Sequence, residues 1–148
     1  MRVSAKGRYA FAALIEIARQ TSIGEIVSVV SISEKLGISK IFLEQTASAL
    51  KKGGIILSTK GAKGGYQLAR EAHTITALDV LSAVENTMLE KADATVAEQS
   101  PSIEAALRER LLDKLDKVIE DCLVKITIQD LVEYADQQNS DSAFMMYM

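Results

Sequence analysis

The feature that most constrains the fold of this chain lies in residues 29–68, where two short helix-like segments flank a tight turn. The first segment ends at Leu36, and Gly37-Ile38-Ser39 combines a turn glycine with a helix cap. The second segment continues to about Lys52 and precedes Gly53-Gly54. Two apolar runs follow, which predict a hairpin. Helix, turn, helix and a two-stranded hairpin are typical of a winged helix-turn-helix.

The second helix of this unit has one apolar face and one polar face. Its predicted core positions are Phe42 or Leu43, Thr46 or Ala47, and Leu50. The outward residues are Ser39, Lys40, Ile41, Glu44, Gln45 and Ser48. In a helix-turn-helix, the N-terminal residues of this helix meet base edges in the major groove of DNA. Gln45 can bond adenine bidentately, and Glu44 can accept from a cytosine amine, so both are candidate base contacts.

The hairpin is predicted from Ile55–Ser58 and Tyr66–Leu68, which are joined by the sequence TKGAKGG. Lys60 and Lys63 in this connection could reach phosphates or a minor groove, because the glycines allow close backbone approach. A phosphate-binding P-loop is excluded, since its G-x-x-x-x-G-K-[ST] pattern is missing and no helix follows. In an isolated hairpin the lysines would serve only solubility, but after a helix-turn-helix they indicate a wing.

The first helix is predicted over residues 6–20, with Ser4 as its N-cap and apolar residues around most of its circumference. Arg2, Lys6 and Arg8 lie at its N-terminal end, where backbone N–H groups suit phosphate oxygens. The alternative is that these basic side chains are simply solvated. The charge pattern favours phosphate contacts, because residues 1–70 carry 11 Lys and Arg against 4 Asp and Glu, whereas residues 71–148 carry 6 against 16. Ordinary surface scatter explains so large a difference poorly.

The acidic half predicts a long helix and a mode of assembly. Thr76 opens a helix to about Glu85, residues 86–99 form a connecting loop, and Ser100-Pro101 starts a helix that continues to about Lys125. An apolar stripe on the long helix consists of Leu107, Leu111, Leu115, Val118 and Cys122. The stripe is wider than packing on one small domain requires, so we expect homodimerisation through it. Packing within one chain is the alternative.

The C-terminal segment is predicted to contain a last short helix, from Thr127 through Tyr134, which the polar run 136–142 breaks. The apolar tail 144–148 then docks on its own fold or its dimer mate, or acts as a Met-rich hook for a partner. The predicted fold is mainly α with a small β wing. Its parts are a winged helix-turn-helix domain at 1–85, the connecting loop 86–99, and a dimerisation helix, short helix and tail at 100–148.

Several classes of protein are excluded by composition. No apolar run is long enough to span a bilayer, no signal peptide is recognisable, and one cysteine cannot form an internal disulfide, so we expect a cytoplasmic protein. No catalytic residues are predicted, because one cysteine, one histidine and scattered carboxylates form no nucleophile–base pair. His73 is assigned to the surface, and neither a metal site nor a cofactor is predicted. A winged-helix protein–protein module is the remaining rival class, but it would not require the charge difference.

The motifs resemble those of the Rrf-two family of bacterial winged-helix repressors, which includes the IscR, NsrR and CymR types. The matching segments are S-x-K-G-R-Y-A at 4–10, I-S-x-x-[FY]-L-E-Q at 38–45, L-K-K-G-G-I at 50–55, K-G-x-x-G-G-Y at 60–66 and I-T-A-x-D-V at 75–80. The resemblance covers essentially the whole chain. It implies a homodimer on a palindromic promoter site, with the helix at 39–52 in the major groove and the wing in the minor groove. By position it implies DNA contacts at Ser39, Phe42, Glu44 and Gln45, at Lys60 and Gly61, and at Ser4, Lys6 and Tyr9.

The chain departs from the family pattern in the connecting loop. Cluster-binding members carry three cysteines there, whereas residues 86–99 contain none. Cys122 lies on an apolar stripe and is expected to be a buried core residue. We therefore predict no iron–sulfur cluster. The alternative is a redox-responsive or iron–sulfur-responsive regulator of the same family. A cluster-free member resembles the CymR type, which represses cysteine and sulfur metabolism genes in complex with cysteine synthase. Here cysteine synthase would bind the C-terminal tail, although peptides that enter that enzyme end in isoleucine and this sequence ends in Met148.

Overall fold

The structure of the protein, a computed structural model, describes residues 3–146, which form mainly helices and one small antiparallel sheet. The elements in chain order are α1 (Ala5–Ser22), α2 (Val29–Leu36), α3 (Lys40–Lys52), β1 (Ile56–Thr59), β2 (Gly65–Leu68), a 3-10 turn (Ala72–Thr74), α4 (Ala77–Val84), α5 (Pro101–Leu107), a π-helical turn (Arg108–Leu112), α6 (Asp113–Val124) and α7 (Ile128–Met146). The predicted fold class, mainly α with a β wing, is confirmed.

The helix-turn-helix forms because each of its boundaries has a local cap. Ser28 accepts a hydrogen bond from the backbone N–H of Ser31 and starts α2. Gly37 ends α2 with φ of 67°, a left-handed conformation that glycine adopts without the steric cost of a Cβ. Ser39 then starts α3 by accepting from the backbone N–H of Phe42 at 3.2 Å. The predicted turn is confirmed.

Helix α1 is the centre of the core, as its nearly continuous apolar circumference predicts. Its Leu14 and Ile17 are buried among residues from every neighbouring element. The other large residues of this core include Ile32, Leu43, Leu50, Ile55, Ile56, Ile75, Val80 and Ile128. Burial of this apolar surface holds α2, α3 and the sheet against α1.

The sheet pairs β1 with β2 in antiparallel register, from Ile56 opposite Leu68 to Thr59 opposite Gly65. The segment before α2 joins this sheet through one isolated bridge, in which Val27 exchanges two backbone hydrogen bonds with Tyr66. This bridge attaches the wing to the segment that leads into α2. The wing is therefore tied to the helix-turn-helix instead of extending freely.

Helices α4 and α7 begin side by side with the same capping box. Thr76 and Asp79 exchange side-chain and backbone hydrogen bonds at the start of α4, and Thr127 and Asp130 do so at the start of α7. The two caps are joined by an antiparallel bridge between Thr76 and Thr127. Ile128 is fully buried in the core around α1. Although α7 follows the long helix in sequence, it therefore packs on the N-terminal half.

The prediction that the last helix ends at Tyr134 is wrong, because α7 continues to Met146. The polar run 136–142 contains neither proline nor glycine, so polarity alone does not terminate the helix. Asp136 accepts from Arg19 of α1 at 2.8 Å, which holds the middle of α7 in place. Phe144, Met145 and Met146 consequently lie exposed at the end of a helix, and residues 147–148 of the predicted tail lie outside the described residues.

Helix α5, the π-helical turn and α6 together form one continuous rod, called the long helix below. It starts at Pro101 as expected, but the Ser100 side chain makes no capping hydrogen bond. No residue of the long helix is buried within one chain. Cys122 is exposed, which contradicts the expectation of a buried core residue, because the stripe that carries it faces away from the protein's own core. Among residues 3–146, no helix is long and apolar enough to cross a membrane.

The connection 86–99 has no regular secondary structure, as predicted, but it is attached to the long helix. The Glu104 carboxylate accepts from the backbone N–H groups of Thr95 and Val96, at 3.0 and 2.8 Å. Arg108 donates to the backbone carbonyl of Ala92 at 2.8 Å. The bonds from Val96 and Thr95 and the charge of Arg108 hold the pKa of Glu104 below its ordinary value.

Candidate nucleic-acid interface

Helix α3 separates its core residues from its predicted DNA contacts. Leu43, Thr46, Ala47 and Leu50 are buried, as the sequence predicts for this face. The Thr46 hydroxyl donates to the backbone carbonyl of Phe42 at 2.9 Å, so this buried polar group is satisfied within the helix. The predicted contacts Ser39, Lys40, Glu44 and Gln45 are exposed.

Phe42 occupies a different position from the other predicted contacts on α3. It is half-buried and packs against the core. Its ring meets that of Tyr9 edge to face, with centroids 5.4 Å apart and planes at 82°. Because Tyr9 lies in the first turns of α1, this pair joins the N-terminal ends of α1 and α3, the two ends expected to face DNA.

The wing lies beside α3. Its three predicted contacts, Lys60, Gly61 and Lys63, are exposed. A cleft between α3 and the sheet is lined by Glu44 and Lys51 on one side and by Ser58 and Tyr66 on the other. Burial raises the pKa of Tyr66, and the negative charge of Glu44 raises it further. Helix α3 and the wing therefore form one surface.

The predicted phosphate contacts of the N-terminal end differ in what they do in the structure. Arg8 is exposed, and Lys6 is half-buried. Ser4 caps α1 by accepting from the backbone N–H of Gly7, and it also donates to Glu85 of the distant α4 end. Arg2 lies outside the described residues.

The cations predicted to meet DNA have no acidic partners within residues 3–146. The ion pairs of that part of the chain use Arg19, Lys35, Arg70, Arg108 and Lys117. None of them involves Lys6, Arg8, Lys40, Lys60 or Lys63. An unpaired cation keeps its charge for phosphate oxygens, so these five side chains are suited to a polyanion.

Two residues that bear on this interface were missed in the sequence. Glu16 is buried on α1 and binds Lys35 of α2. An acidic residue in the middle of an otherwise apolar helix was a usable signal for it. Glu85, by contrast, is placed at the interface only by a contact with Ser4 that is 81 residues away in sequence, and no local pattern could have found it.

The side chains present do not fit an iron or iron–sulfur group. An iron–sulfur cluster requires several thiolate ligands, and Cys122 is the only cysteine of the chain. Among the described residues, no three His, Cys, Asp or Glu side chains lie close enough together to hold a metal ion. His73, the only histidine, is exposed on the 3-10 turn.

Comparison with known proteins finds relatives of this winged helix-turn-helix over most of the chain. The model of the family Rrf2, described as an iron-dependent transcriptional regulator, matches residues 3–134. The HTH-type transcriptional regulator IscR of Yersinia enterocolitica is 36% identical over 151 residues, covering 96% of this chain and 89% of that protein.

Two solved structures resemble the fold over most of the chain. The B. subtilis global cysteine regulator CymR (YrzC) has a TM-score of 0.73 and 31% identity, covering 90% of this chain and 98% of that one. T. potens IscR has a TM-score of 0.71 and 33% identity, covering 93% of this chain and 90% of that one. These relatives are regulators of transcription and not enzymes, as the sequence predicts. With the winged helix-turn-helix and its exposed contacts in place, the match over residues 3–134 means that the chain belongs to the Rrf2 family of DNA-binding transcriptional regulators.

Proposed function

We propose that the protein is a sequence-specific transcriptional repressor that binds palindromic promoter sites as a homodimer. The observation that carries this proposal is the joint surface of α3 and the wing, on which Lys40, Lys60 and Lys63 are exposed and have no acidic partner among residues 3–146. Helix α3 has the dimensions to enter a major groove, and a lysine-bearing wing suits the adjacent minor groove.

The contacts divide into base-reading and phosphate-binding sets. Glu44 and Gln45 are assigned to base edges, because their side chains leave the exposed face of α3 and can form directional hydrogen bonds. The assigned phosphate and groove contacts are Arg2, Lys6, Arg8 and Tyr9 at the start of α1, Ser39, Lys40 and Phe42 at the start of α3, and Lys60, Gly61 and Lys63 in the wing. Ser4, also predicted to contact phosphate, donates both its hydroxyl and its backbone N–H to Glu85, so it has no donor left for a phosphate oxygen. The second set determines register and affinity but carries little sequence information.

A second copy of the chain is the proposed partner of the long helix. Leu111, Leu115 and Val118 are about half exposed or more, and Cys122 continues their line. Leu107 at the other end of the stripe is half-buried. A contiguous apolar stripe of this kind on a regulator of palindromic sites suits a two-fold contact, which would present two α3 helices to two half-sites.

Binding to selected DNA tests the leading proposal. Duplexes enriched from random DNA by the full-length protein should share an inverted repeat, and their affinity should fall steeply with salt concentration. A reporter gene behind the selected site should be silenced by the protein and released on its deletion. Selected duplexes without a common sequence, or an affinity insensitive to salt, would refute a DNA-reading function and favour a winged-helix protein–protein module.

Control of cysteine and sulfur metabolism is the proposed regulatory role, and a redox-responsive or iron–sulfur-responsive regulator is the alternative. The first is supported by the similarity to B. subtilis CymR and by the poor fit of the donor side chains to a cluster. The exposed Phe144, Met145 and Met146 would offer cysteine synthase an attachment site. Mapping the bound promoters across the genome tests the role, and co-purification of cysteine synthase with and without O-acetylserine tests the partner. A stoichiometric iron–sulfur chromophore after anaerobic purification would favour the alternative.

A further inference from the structure

Glu85 connects the end of α4 with the beginning of α1. It is the C-terminal cap of α4 and directly precedes the connection 86–99. Its Oε1 atom accepts a hydrogen bond from the Ser4 hydroxyl at 2.6 Å and another from the Ser4 backbone N–H at 3.1 Å. Short hydrogen bonds from a hydroxyl to a carboxylate are among the stronger ones in proteins. One side chain therefore determines the position of the residue at which α1 starts.

The N-terminal turn of α1 is built around this carboxylate. While the Ser4 hydroxyl donates to Glu85, its oxygen accepts from the backbone N–H of Gly7 at 3.1 Å. A Cβ atom on Gly7 would lie only 2.5 Å from Glu85 Oε1 and 2.8 Å from Val3 Cγ1. The glycine of the S-x-K-G-R-Y-A motif thus lets the carboxylate approach the turn that carries Lys6 and Arg8.

Two opposite effects on DNA binding follow from this geometry. The carboxylate lies beside groups assigned to phosphate contacts, and an anion there repels the DNA backbone. The same carboxylate holds the backbone of the turn that carries Lys6 and Arg8 before DNA arrives, and pre-organised contacts lose less entropy on binding. The repulsion acts through solvent, whereas the two hydrogen bonds from Ser4 act directly on the turn, so we expect the second effect to be the larger one.

We propose that Glu85 is a positioning residue for operator binding, which orders the phosphate-contacting turn of α1 through Ser4. The inference rests on the proposed function, since it assigns a role within the same DNA interface. Glu85 is not among the residues assigned to DNA contacts, and it lies outside α3 and the wing.

Three substitutions separate hydrogen-bond geometry from charge. Glu85→Gln keeps an acceptor oxygen at the same reach and removes the charge. Glu85→Asp keeps the charge but is one methylene too short to reach Ser4. Glu85→Ala removes both. If Glu85 positions the turn, the Glu85→Gln protein should bind the selected duplex with wild-type affinity. The Glu85→Asp and Glu85→Ala proteins should bind it about tenfold more weakly, as expected for the loss of one good contact. For these two variants the slope of log affinity against log salt concentration should also become shallower, by about the amount that one lost phosphate contact accounts for.

Fluorescence anisotropy with a labelled selected duplex, over a series of salt concentrations, measures these affinities. Glu90→Ala is the matched control, because it removes an exposed carboxylate of the connection that makes no side-chain hydrogen bond or ion pair among the described residues. If Glu85→Gln and Glu85→Ala both bind the duplex more tightly than wild type, while Glu85→Asp has wild-type affinity, the carboxylate only repels DNA and the proposal is overturned. Equal affinity of all four proteins also overturns it. Should the wild type itself fail to bind the duplex in a salt-dependent manner, the proposed function fails first, whatever the order of the variants.

Discussion

At the scale of single residues, Glu16 of α1 contacts α2, the first helix of the helix-turn-helix. Glu16 is only 3% exposed. Oε1 accepts from Lys35 of α2 at 2.8 Å and from Gln20 at 3.1 Å, and Arg19 lies 3.6 Å from Oε2. A buried carboxylate is stable only with such partners, so the ion pair with Lys35 adds a specific contact between α1 and α2 to the apolar packing of Ile32.

The pH dependence of stability reports on this carboxylate. Burial alone would raise the pKa of Glu16, but the hydrogen bonds from Lys35 and Gln20 and the charges of Lys35 and Arg19 outweigh it and lower the pKa below its ordinary 4.5. Its contribution to the free energy of unfolding is therefore complete above that value and is lost as the pH falls through the lower pKa of the folded state. Glu16→Gln should cost about 1–3 kcal/mol at pH 7 in urea unfolding. Below pH 4.5 the difference in free energy of unfolding between wild type and the variant should narrow. Parallel pH profiles of the two proteins would contradict this account.

Gln45 is expected to determine base preference more than affinity. Its exposed amide on α3 can recognise one base pair, and loss of a bidentate contact typically costs about 1–3 kcal/mol against the preferred base. Gln45→Ala should therefore weaken binding to the selected duplex and leave binding to duplexes altered at that base pair nearly unchanged. Repeating the selection with the variant measures this directly. An equal loss on all duplexes would refute the base-reading role.

Lys63 is expected to act through charge alone. Because its ammonium group is exposed on the wing and unpaired among the described residues, Lys63→Ala should weaken binding to all duplexes alike. The slope of log affinity against log salt should become shallower by about one unit. Lys114→Ala is the control, since it removes an exposed lysine from the long helix and should change neither quantity. A change of preference at one base pair would instead assign Lys63 to base recognition.

At the scale of elements, the helix boundaries that have local capping signals were predictable, whereas the C-terminal end of α7, which has none, was not. Ser39 and Gly37 delimit α3 and its turn because each satisfies the backbone of adjacent residues. The end of α7 has no such signal, and its continuation past Tyr134 depends on Arg19 of α1, which binds Asp136 from 117 residues away. Sequence periodicity describes one helix at a time, so it cannot register a contact between two of them.

The last part of α7 is expected to be dispensable for folding. Residues 139–146 are exposed and make no side-chain hydrogen bonds or ion pairs with the described residues. A chain that ends after Gln138 should keep its free energy of unfolding within about 0.5 kcal/mol, which is typical of changes to exposed surface. Its affinity for the selected duplex should also be unchanged. Thermal unfolding and anisotropy measure both, and a large loss of stability would mean that this segment packs on a second protomer.

At the scale of the whole molecule, the basic and acidic halves are joined by one core and not by a flexible linker. Ile128 and Val132 of α7 are buried with Leu14 and Ile17 of α1, so the chain leaves the N-terminal core along the long helix and returns to it. The predicted parts 1–85, 86–99 and 100–148 were drawn from segments that follow one another along the sequence. The return of α7 depends on packing between distant segments, as does the contact of Ser4 with Glu85, and neither leaves a local pattern.

The long helix leaves its apolar stripe exposed within one chain, and this exposure bears directly on assembly. Leu115 is 50% exposed and Val118 is 65% exposed within one chain. If a second copy covers them, Leu115→Glu would bury an unpaired carboxylate in the dimer, at a cost of several kcal/mol. Lys114→Glu, on the neighbouring position outside the stripe, should leave the dimer intact.

Light scattering coupled to size-exclusion chromatography should find a dimer for wild type and Lys114→Glu, and a folded monomer for Leu115→Glu. Because the monomer retains α3 and the wing, it should bind a single half-site about as well as wild type does. It should lose the additional affinity for the full palindrome, since two linked half-sites bind more tightly than either alone. A Leu115→Glu protein that remains dimeric would assign the stripe to contacts other than the two-fold interface.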